Sequence, residues 1–319
     1  MILDILLIIA GFVFLIKGAD WLVSGASGLA KKNNVSDLVI GLTIVAFGTS
    51  APELVVNAVA SIDRYSEIVY GNIIGSNTFN LFLILGTVAV IFPVAVQRSM
   101  IRKEIPFSLA ITALVMLLSN AVLGQSENVL SRIDSIILFL LFIGFLVYTF
   151  KQSKTTPDTV EAIEIKPMTN VKIGIFIIVG LSILVVGGRM VVTGAESIAL
   201  DFGISEKIIG LTIVAAGTSL PELVTSVVAA SKKNSDIAIG NVIGSSIFNV
   251  LLILPISGLI HPIVYEPSFN REMLLLIGGT ILLFLFMFTG KKRHIDRWEG
   301  GVLLCVFLIY TGYLVAQEL

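Results

Sequence analysis

Long apolar runs separated by short polar connections dominate the hydropathy pattern of the chain. Several runs exceed the roughly 18 apolar residues that mark a membrane span, and cutting the pattern at charged or turn-forming clusters leaves ten segments. We therefore expect an all-α membrane protein with ten transmembrane helices. The segments cover approximately residues 3–30, 36–62, 66–94, 101–121, 131–151, 171–200, 205–230, 236–259, 268–289 and 298–316.

The second predicted span contains a stretch that recurs in the seventh. Residues 41–61 read GLTIVAFGTSAPELVVNAVAS and residues 210–230 read GLTIVAAGTSLPELVTSVVAA, with 15 of 21 aligned positions identical. A second pair, GNIIGSNTFNLFLIL at 71–85 and GNVIGSSIFNVLLIL at 240–254, agrees at 10 of 15 positions. Both pairs have the same displacement of 169 residues. A constant displacement indicates a duplicated unit.

The duplication predicts two five-helix repeats joined by a polar linker. The first repeat covers residues 1–152, the linker 153–170 and the second repeat 171–319. Because five is an odd number, the second repeat starts from the opposite side of the membrane and has inverted topology. Inverted repeats place a shared site near the membrane midplane, where broken helices meet. Helices two and seven, which carry the repeated stretch, are expected to be the broken ones.

Basic residues are distributed unevenly among the predicted connections. Connections after odd-numbered spans contain 15 lysines and arginines, whereas those after even-numbered spans contain four. The positive-inside rule assigns the basic set to the cytoplasm. We therefore expect a multi-pass protein of the cell membrane with a cytoplasmic 153–170 loop and both termini outside.

The amino-acid composition limits the classes of partner that the protein is expected to have. Charged residues make up 13% of the chain, about half the share of a soluble domain, so the lipid bilayer is the expected surrounding. The net charge is −1 and no basic patch suggests nucleic acid. With Cys305 as the single cysteine, neither an internal disulfide nor a cysteine-built metal site can form. The oligomeric state leaves no signature in the sequence.

Two glutamates lie near the middle of apolar spans. Glu53 and Glu222 occupy equivalent positions in the repeated stretch, and neither motif contains a basic residue. A carboxylate at that depth costs at least about 2.5 kcal/mol, so it needs a partner or an aqueous cavity. Each is therefore expected to face the protein interior and to meet an exchangeable cation.

A simpler interpretation is helix capping. Ser50 with Glu53, and Ser219 with Glu222, have the spacing of a capping box, with a proline in the first helical turn. A cap at this depth requires the helix to stop and restart inside the span, because a proline cannot donate a backbone hydrogen bond. Irregular backbone is tolerated there only where it lines a cavity or is buried in protein. Capping and ion binding are thus compatible.

The second repeated motif adds oxygen atoms. Asn72, Ser76 and Asn80 form one polar stripe on a helix, and so do Asn241, Ser245 and Asn249. The paired glycines of the same motifs predict close helix packing. Carboxylates, hydroxyls, amides and main-chain carbonyls suit hard cations, while the scarcity of histidine and cysteine disfavours zinc, copper and iron. Two carboxylates give an empty site a charge of about −2, which one Ca2+ or monovalent ions would neutralise.

These residues resemble the cation/calcium exchanger superfamily, and most closely its prokaryotic sodium/calcium exchangers. The resemblance covers the whole chain, because each half has a GTS-x-PE motif followed by a GN-x-x-GS…N motif. It implies a secondary antiporter, not an enzyme, in which Na+ entry drives Ca2+ export. It needs no cofactor, since Ca2+ and Na+ are its substrates. The long first and sixth spans would slide against the rest to alternate access.

The resemblance also implies a ligand set. Glu53 and Glu222 would be the central carboxylates, and Asn80 and Asn249 would bind an ion or water. Hydroxyl or backbone oxygens would come from Thr49, Thr218, Ser50, Ser219, Ser76 and Ser245, and main-chain carbonyls from Ala46 and Ala215.

One residue departs from part of the superfamily. Some relatives, including potassium-dependent ones, have aspartate where this chain has Asn249, which counts against K+ coupling. The short linker also lacks the large Ca2+-sensing region of animal exchangers. The open alternatives are a Ca2+/H+ antiporter that uses the same carboxylates as proton carriers, a cation channel and an intramembrane protease.

Overall fold

The computed structural model describes residues 2–120, 128–152, 168–202 and 215–318. Within these residues, short strands accompany a predominantly helical fold. The helices are α1 (Ile2–Asn33), α2 (Asp37–Thr49), α3 (Ala51–Ile62), α4 (Ser66–Ile91), α5 (Ile105–Ser119), α6 (Arg132–Gln152), α7 (Asn170–Asp201), α8 (Ala215–Thr218), α9 (Leu220–Ser231), α10 (Ser235–Ile260), α11 (Asn270–Phe286) and α12 (Arg297–Glu318).

The helices have the lengths and apolarity of a multi-pass membrane protein. Among the described residues, six helices can cross a bilayer: α1, α4, α6, α7, α10 and α11 with its preceding turn. The pair α2 and α3 makes a seventh if it is counted as one bent span. Where a predicted span is fully described, its ends lie within three residues of the helical ends. Most of the predicted linker, residues 153–167, lies outside the described residues, and α7 begins at Asn170.

The two longest helices, α1 and α7, pack against each other at the edge of the molecule. Each has 32 residues, and their most apolar windows are only 22% and 28% buried. Glycines bring the two backbones together: a Cβ on Gly11 would lie 2.8 Å from the carbonyl oxygen of Gly187, and one on Gly18 would lie 2.8 Å from that of Gly180. The pairs are equivalent under the 169-residue displacement. The symmetry of the sequence is therefore repeated in this contact.

Helices α4 and α10 form the core, since 78% and 89% of their apolar windows are buried. The predicted glycine packing is present for α10, because a Cβ on Gly244 would lie 2.8 Å from that of Ala46 in α2. The equivalent glycines of α4, Gly71 and Gly75, have their expected partners near residues 207–215. Most of that segment lies outside the described residues, so their close packing stays a prediction.

Short strands and one ion pair join the two halves of the chain. Strand β1 (Val94–Ala95) pairs antiparallel with β4 (His294–Ile295), and β2 (Val129–Leu130) pairs with β3 (Ile263–Val264). Each pair takes one strand from each half. An ion pair also joins the halves, because the Asp20 carboxylate lies 2.8 Å from Lys232 Nζ.

Candidate ion-binding site

The helix breaks come where the repeated motif places serine before proline. Helices α2 and α3 meet at Ser50 with a bend of 49°, and α8 and α9 meet at Ser219. The two serines have similar backbone angles, with φ −83° and ψ 6° at Ser50 and φ −92° and ψ 4° at Ser219. A proline follows in the first turn of α3 and of α9, where its missing N–H is tolerated. Both breaks thus have the same local cause.

The serines at the breaks do not cap their own helices. No side-chain cap is formed by Ser50 or Ser219, so the capping interpretation is wrong for the serine side chains. Instead Ser50 Oγ donates to Glu222 Oε1 at 3.0 Å, and Ser219 Oγ donates to Glu53 Oε1 at 3.3 Å. A hydrogen bond to a carboxylate is stronger than one to a neutral group, which favours these partners over the local backbone. Each half therefore holds the carboxylate of the other.

The two glutamates are buried and each retains one oxygen without a partner. Both are 1% exposed. In the described part of the chain, no ion pair links either one to a lysine or an arginine. Glu53 Oε2, Glu222 Oε2, Asn80 Oδ1 and Asn249 Oδ1 all lack a hydrogen-bond donor. A buried acceptor without a donor is costly, and a cation beside these oxygens would remove that cost.

The companion helices supply the polar surroundings of the breaks. Ser245 Oγ lies 3.5 Å from Glu222 Oε1, and Ser76 Oγ lies 3.3 Å from Ser219 Oγ. Asn249 Nδ2 donates to Asn77 Oδ1 at 2.9 Å, which leaves its own Oδ1 free. Wide π-helical turns cover Phe79–Ile84 in α4 and Asn249–Ile253 in α10. Such turns often mark functional positions in helices, and here they coincide with the two candidate asparagines.

The remaining candidates lie on α2 and α8. Thr49 Oγ1 is buried and donates toward Asn241 Oδ1 at 3.1 Å and toward the Val45 carbonyl at 3.1 Å. The Ala46 carbonyl accepts from the Ser50 N–H at 3.0 Å, so it already has one donor. Thr218 ends α8 and is half-buried, and Ala215 begins α8. The structure thus brings Ser50 to Glu222 directly and brings Thr49 to Asn241, which bonds the Glu222 carbonyl. Ala46, Thr218 and Ala215 lie on the adjoining turns.

Three residues that sequence reasoning did not select support the site. Asn57 Nδ2 bonds the Glu53 carbonyl at 2.7 Å and Asn72 Oδ1 at 2.6 Å. In the other half Asn241 donates to Ser226 Oγ at 3.0 Å and to the Glu222 carbonyl at 3.3 Å. Asn57 and Ser226 follow the glutamates by four residues, on the same helix face, and that spacing could have revealed them. Asn77 is the third.

Comparisons with known proteins place the chain in a family. The profile of the sodium/calcium exchanger protein family matches residues 3–151 and 172–316. The chain belongs to this family of sodium/calcium exchangers. Among curated relatives, the putative antiporter CaxA of Alkalimonas amylolytica is 37% identical over 99% of this chain and all of its own length. Sodium/calcium exchanger MaX1 of Methanosarcina acetivorans is 33% identical over 98% of this chain and 97% of its own.

A solved exchanger has the same architecture. The structure of the sodium-calcium exchanger NCX_Mj matches with a TM-score of 0.82 and 36% identity, over 98% of this chain and 99% of that one. The superfamily expected from the repeated motifs is therefore confirmed. The chain is a multi-pass membrane transporter of the cation/calcium antiporter type, and its family consists of exchangers and not of enzymes.

Proposed function

We propose that this exchanger moves Ca2+ and Na+ in opposite directions through one site built around Glu53 and Glu222. The observation that carries the proposal is the set of four buried oxygens without donors, two from carboxylates and two from asparagine amides. Such oxygens are the ligands that Ca2+ and Na+ prefer.

The site belongs to an inverted pair of five-helix repeats, 1–152 and 171–319, which together form ten spans with two broken helices. The reciprocal hydrogen bonds from Ser50 to Glu222 and from Ser219 to Glu53 support this symmetry. The basic connections face the cytoplasm, and both termini face outside. Coordination comes from the glutamates with Asn80, Asn249, Thr49, Thr218, Ser50, Ser219, Ser76, Ser245 and the carbonyls of Ala46 and Ala215.

Exchange follows from the charge of the site. Two carboxylates with no described basic partner leave an empty site at about −2, which is costly to bury. Ca2+ removes that charge, and so does more than one Na+. Only a loaded site can therefore be enclosed while the protein changes the side to which it opens, so one ion must replace the other.

The test is Ca2+ uptake into proteoliposomes that contain the purified full chain. We expect uptake when Na+ is high inside and low outside, and we expect a response to membrane potential. Glu53→Gln and Glu222→Gln should abolish uptake while the protein still inserts, because each removes a central carboxylate. Glu266→Gln is the matched control, since Glu266 is exposed in a connection. Normal uptake by either site variant contradicts the assignment.

The same preparation separates sodium from proton coupling. Vesicles without Na+, given an outward proton gradient, should take up no Ca2+. Uptake under that gradient alone would replace the proposal by Ca2+/H+ exchange, with the glutamates as proton carriers.

A further inference from the structure

A second site lies away from the glutamates, between the beginning of α5 and the end of α11. A cavity of about 430 Å3 is lined there by four basic side chains, Arg98, Arg102, Lys292 and Arg293, and by an apolar wall that includes Phe284 and Met287. We call it the basic cavity. Gln97 Nε2, beside it in sequence, donates to Asp236 Oδ2 at 2.6 Å. The cavity therefore lies at the end of the bundle where α10 begins.

Backbone pairing holds the two basic loops together. Strand β1 precedes Arg98 and β4 follows Arg293, and the two strands pair in antiparallel register. The Val96 N–H also donates to the Arg293 carbonyl at 2.8 Å. Arg293 has φ +62°, a left-handed conformation that is uncommon for a residue other than glycine. The strand pairing and this hydrogen bond hold the loop in that conformation, so the backbone positions of Arg98 and Arg293 are fixed relative to each other.

The positive charge of the basic cavity is not neutralised by the described residues. All four basic side chains are exposed, and no salt bridge between one of them and a described carboxylate is present. Two nearby carboxylates have other donors: Asp296 Oδ2 accepts from the Lys291 N–H at 2.8 Å, and Glu299 Oε2 accepts from the Asp296 N–H at 2.7 Å. Four like charges around one cavity repel one another, and an anion would relieve that repulsion.

The fold itself does not require these cations. At the opposite end of the bundle, the Tyr265 N–H donates to the Asn128 carbonyl at 2.8 Å, which corresponds to the bond between Val96 and Arg293. Among the described residues, Pro267, Arg271 and Asn128 occupy the positions there that correspond to Arg98, Arg102 and Arg293, and only Arg271 is charged. The fourfold basic lining is thus a property of one end only.

The apolar wall narrows the class of anion. Phe284 is half-buried and Met287 is buried, and Phe288, two residues after the end of α11, is 59% exposed. An inorganic anion would leave Phe284 and Phe288 uncovered, whereas acyl chains would cover both side chains. Basic pockets between transmembrane helices at a membrane surface bind anionic lipid headgroups, and arginine pairs well with phosphate.

We propose that the basic cavity binds the phosphate headgroup of an anionic phospholipid, with its acyl chains along the end of α11. Arg98 and Arg293 contact the phosphate from the two paired loops, and Arg102 and Lys292 complete the positive lining. This inference is independent of which ions the exchanger transports, because its site and its test involve neither glutamate.

The test measures the melting temperature of the purified full chain in a nonionic detergent. Dioctanoyl phosphatidylglycerol should raise it at concentrations at which dioctanoyl phosphatidylcholine and sodium phosphate, at matched ionic strength, do not. The double variant Arg98→Gln/Arg293→Gln should need at least about tenfold more phosphatidylglycerol for the same rise, because it removes two charge-assisted hydrogen bonds to the phosphate. Without lipid it should melt like the wild type, since both side chains are exposed.

The matched control is Lys32→Gln/Lys151→Gln, which removes two exposed charges that do not line the cavity. It should keep the wild-type response. An equal response of the cavity variant and the wild type would overturn the proposal. An equal rise in melting temperature with sodium phosphate would exclude a phospholipid as the ligand and would indicate a site for a free anion. A rise in melting temperature that appears only after Asp158, Glu161 and Glu164 of the linker are neutralised would also contradict the proposal, because these acidic residues would then be the ligands of the cavity.

Discussion

The substitution Gly244→Ala tests how closely the fold determines the position of the candidate ligands. A Cβ on Gly244 would lie 2.8 Å from Ala46 Cβ and 2.9 Å from both Leu42 Cα and the Leu42 carbonyl oxygen. None of these atoms can rotate away, because two belong to the backbone of α2 and the third is attached directly to it. Carbon atoms pack at about 3.5 Å or more. Helices α2 and α10 must therefore separate by roughly 0.7 Å at the contact with Ala46.

The expected cost can be isolated with a second glycine. Overpacking of this kind costs about 1–3 kcal/mol, and alanine returns up to about 1 kcal/mol in helix propensity. Gly278 in α11 has no heavy atom within 4 Å of an added Cβ, so Gly278→Ala gains the propensity without the clash. We expect Gly244→Ala to be less stable than Gly278→Ala by about 1–3 kcal/mol. The measurement is the melting temperature of both variants in detergent.

The same displacement should impair transport. Helix α2 carries Thr49, whose hydroxyl meets Asn241 on α10 at 3.1 Å, and it ends beside Ser50. Functional groups need positions accurate to about 0.5 Å, and a misplacement of 1 Å can cost about 100-fold. We expect Ca2+ uptake by Gly244→Ala to fall by about tenfold or more, with Gly278→Ala near the wild type. Equal stability and uptake of the two variants would refute the link between this helix contact and the site.

Two further predictions concern binding and packing. Ca2+ at about 100 times its dissociation constant should stabilise the wild type by about 2.7 kcal/mol, and Glu222→Gln should remove this stabilisation. The measurement is the melting temperature with and without Ca2+, and a Ca2+-dependent rise in the variant would contradict the site. Tyr70→Phe leaves Ser119 Oγ in the core without its hydrogen-bond partner at 2.7 Å and should lower the free energy of unfolding by about 1–3 kcal/mol. Tyr65→Phe, at a 58% exposed position, should leave the melting temperature unchanged. Equal melting temperatures of the two variants would exclude a stabilising role for the hydrogen bond.

The sequence predicted the helical segments and the broken stretch well, because both depend on local chemistry. Apolar length determines which segments can be helices inside a bilayer, and the predicted ends lie within three residues of the observed ones for the spans that the structure describes in full. The break at Ser50 follows from Pro52, which cannot donate to the preceding turn. These properties belong to neighbouring residues in the chain, so one sequence suffices to find them.

The partners of the site residues could not be predicted in the same way. The local pattern around Ser50 indicated a capping box, yet its hydroxyl bonds Glu222, 172 residues away. The π-helical turns at Phe79–Ile84 and Asn249–Ile253 also lack a recognisable local pattern. Asn77 became visible only because Asn249 bonds it across the two halves. Each of these depends on how the two halves meet, which the motifs do not specify.

The reciprocal bonds explain why duplication suits this site. Each half supplies one glutamate and the serine that holds the glutamate of the other half, so neither half can complete the arrangement alone. Each serine satisfies one oxygen and leaves Oε2 of the glutamate without a donor. If every carboxylate oxygen accepted a hydrogen bond, fewer oxygens would be available to bind a cation. Without the hydrogen bonds from the serines, the two negatively charged glutamates would move apart. The proposed site thus combines fixed carboxylates with unsatisfied oxygens, which would allow it to bind a cation and to release it again.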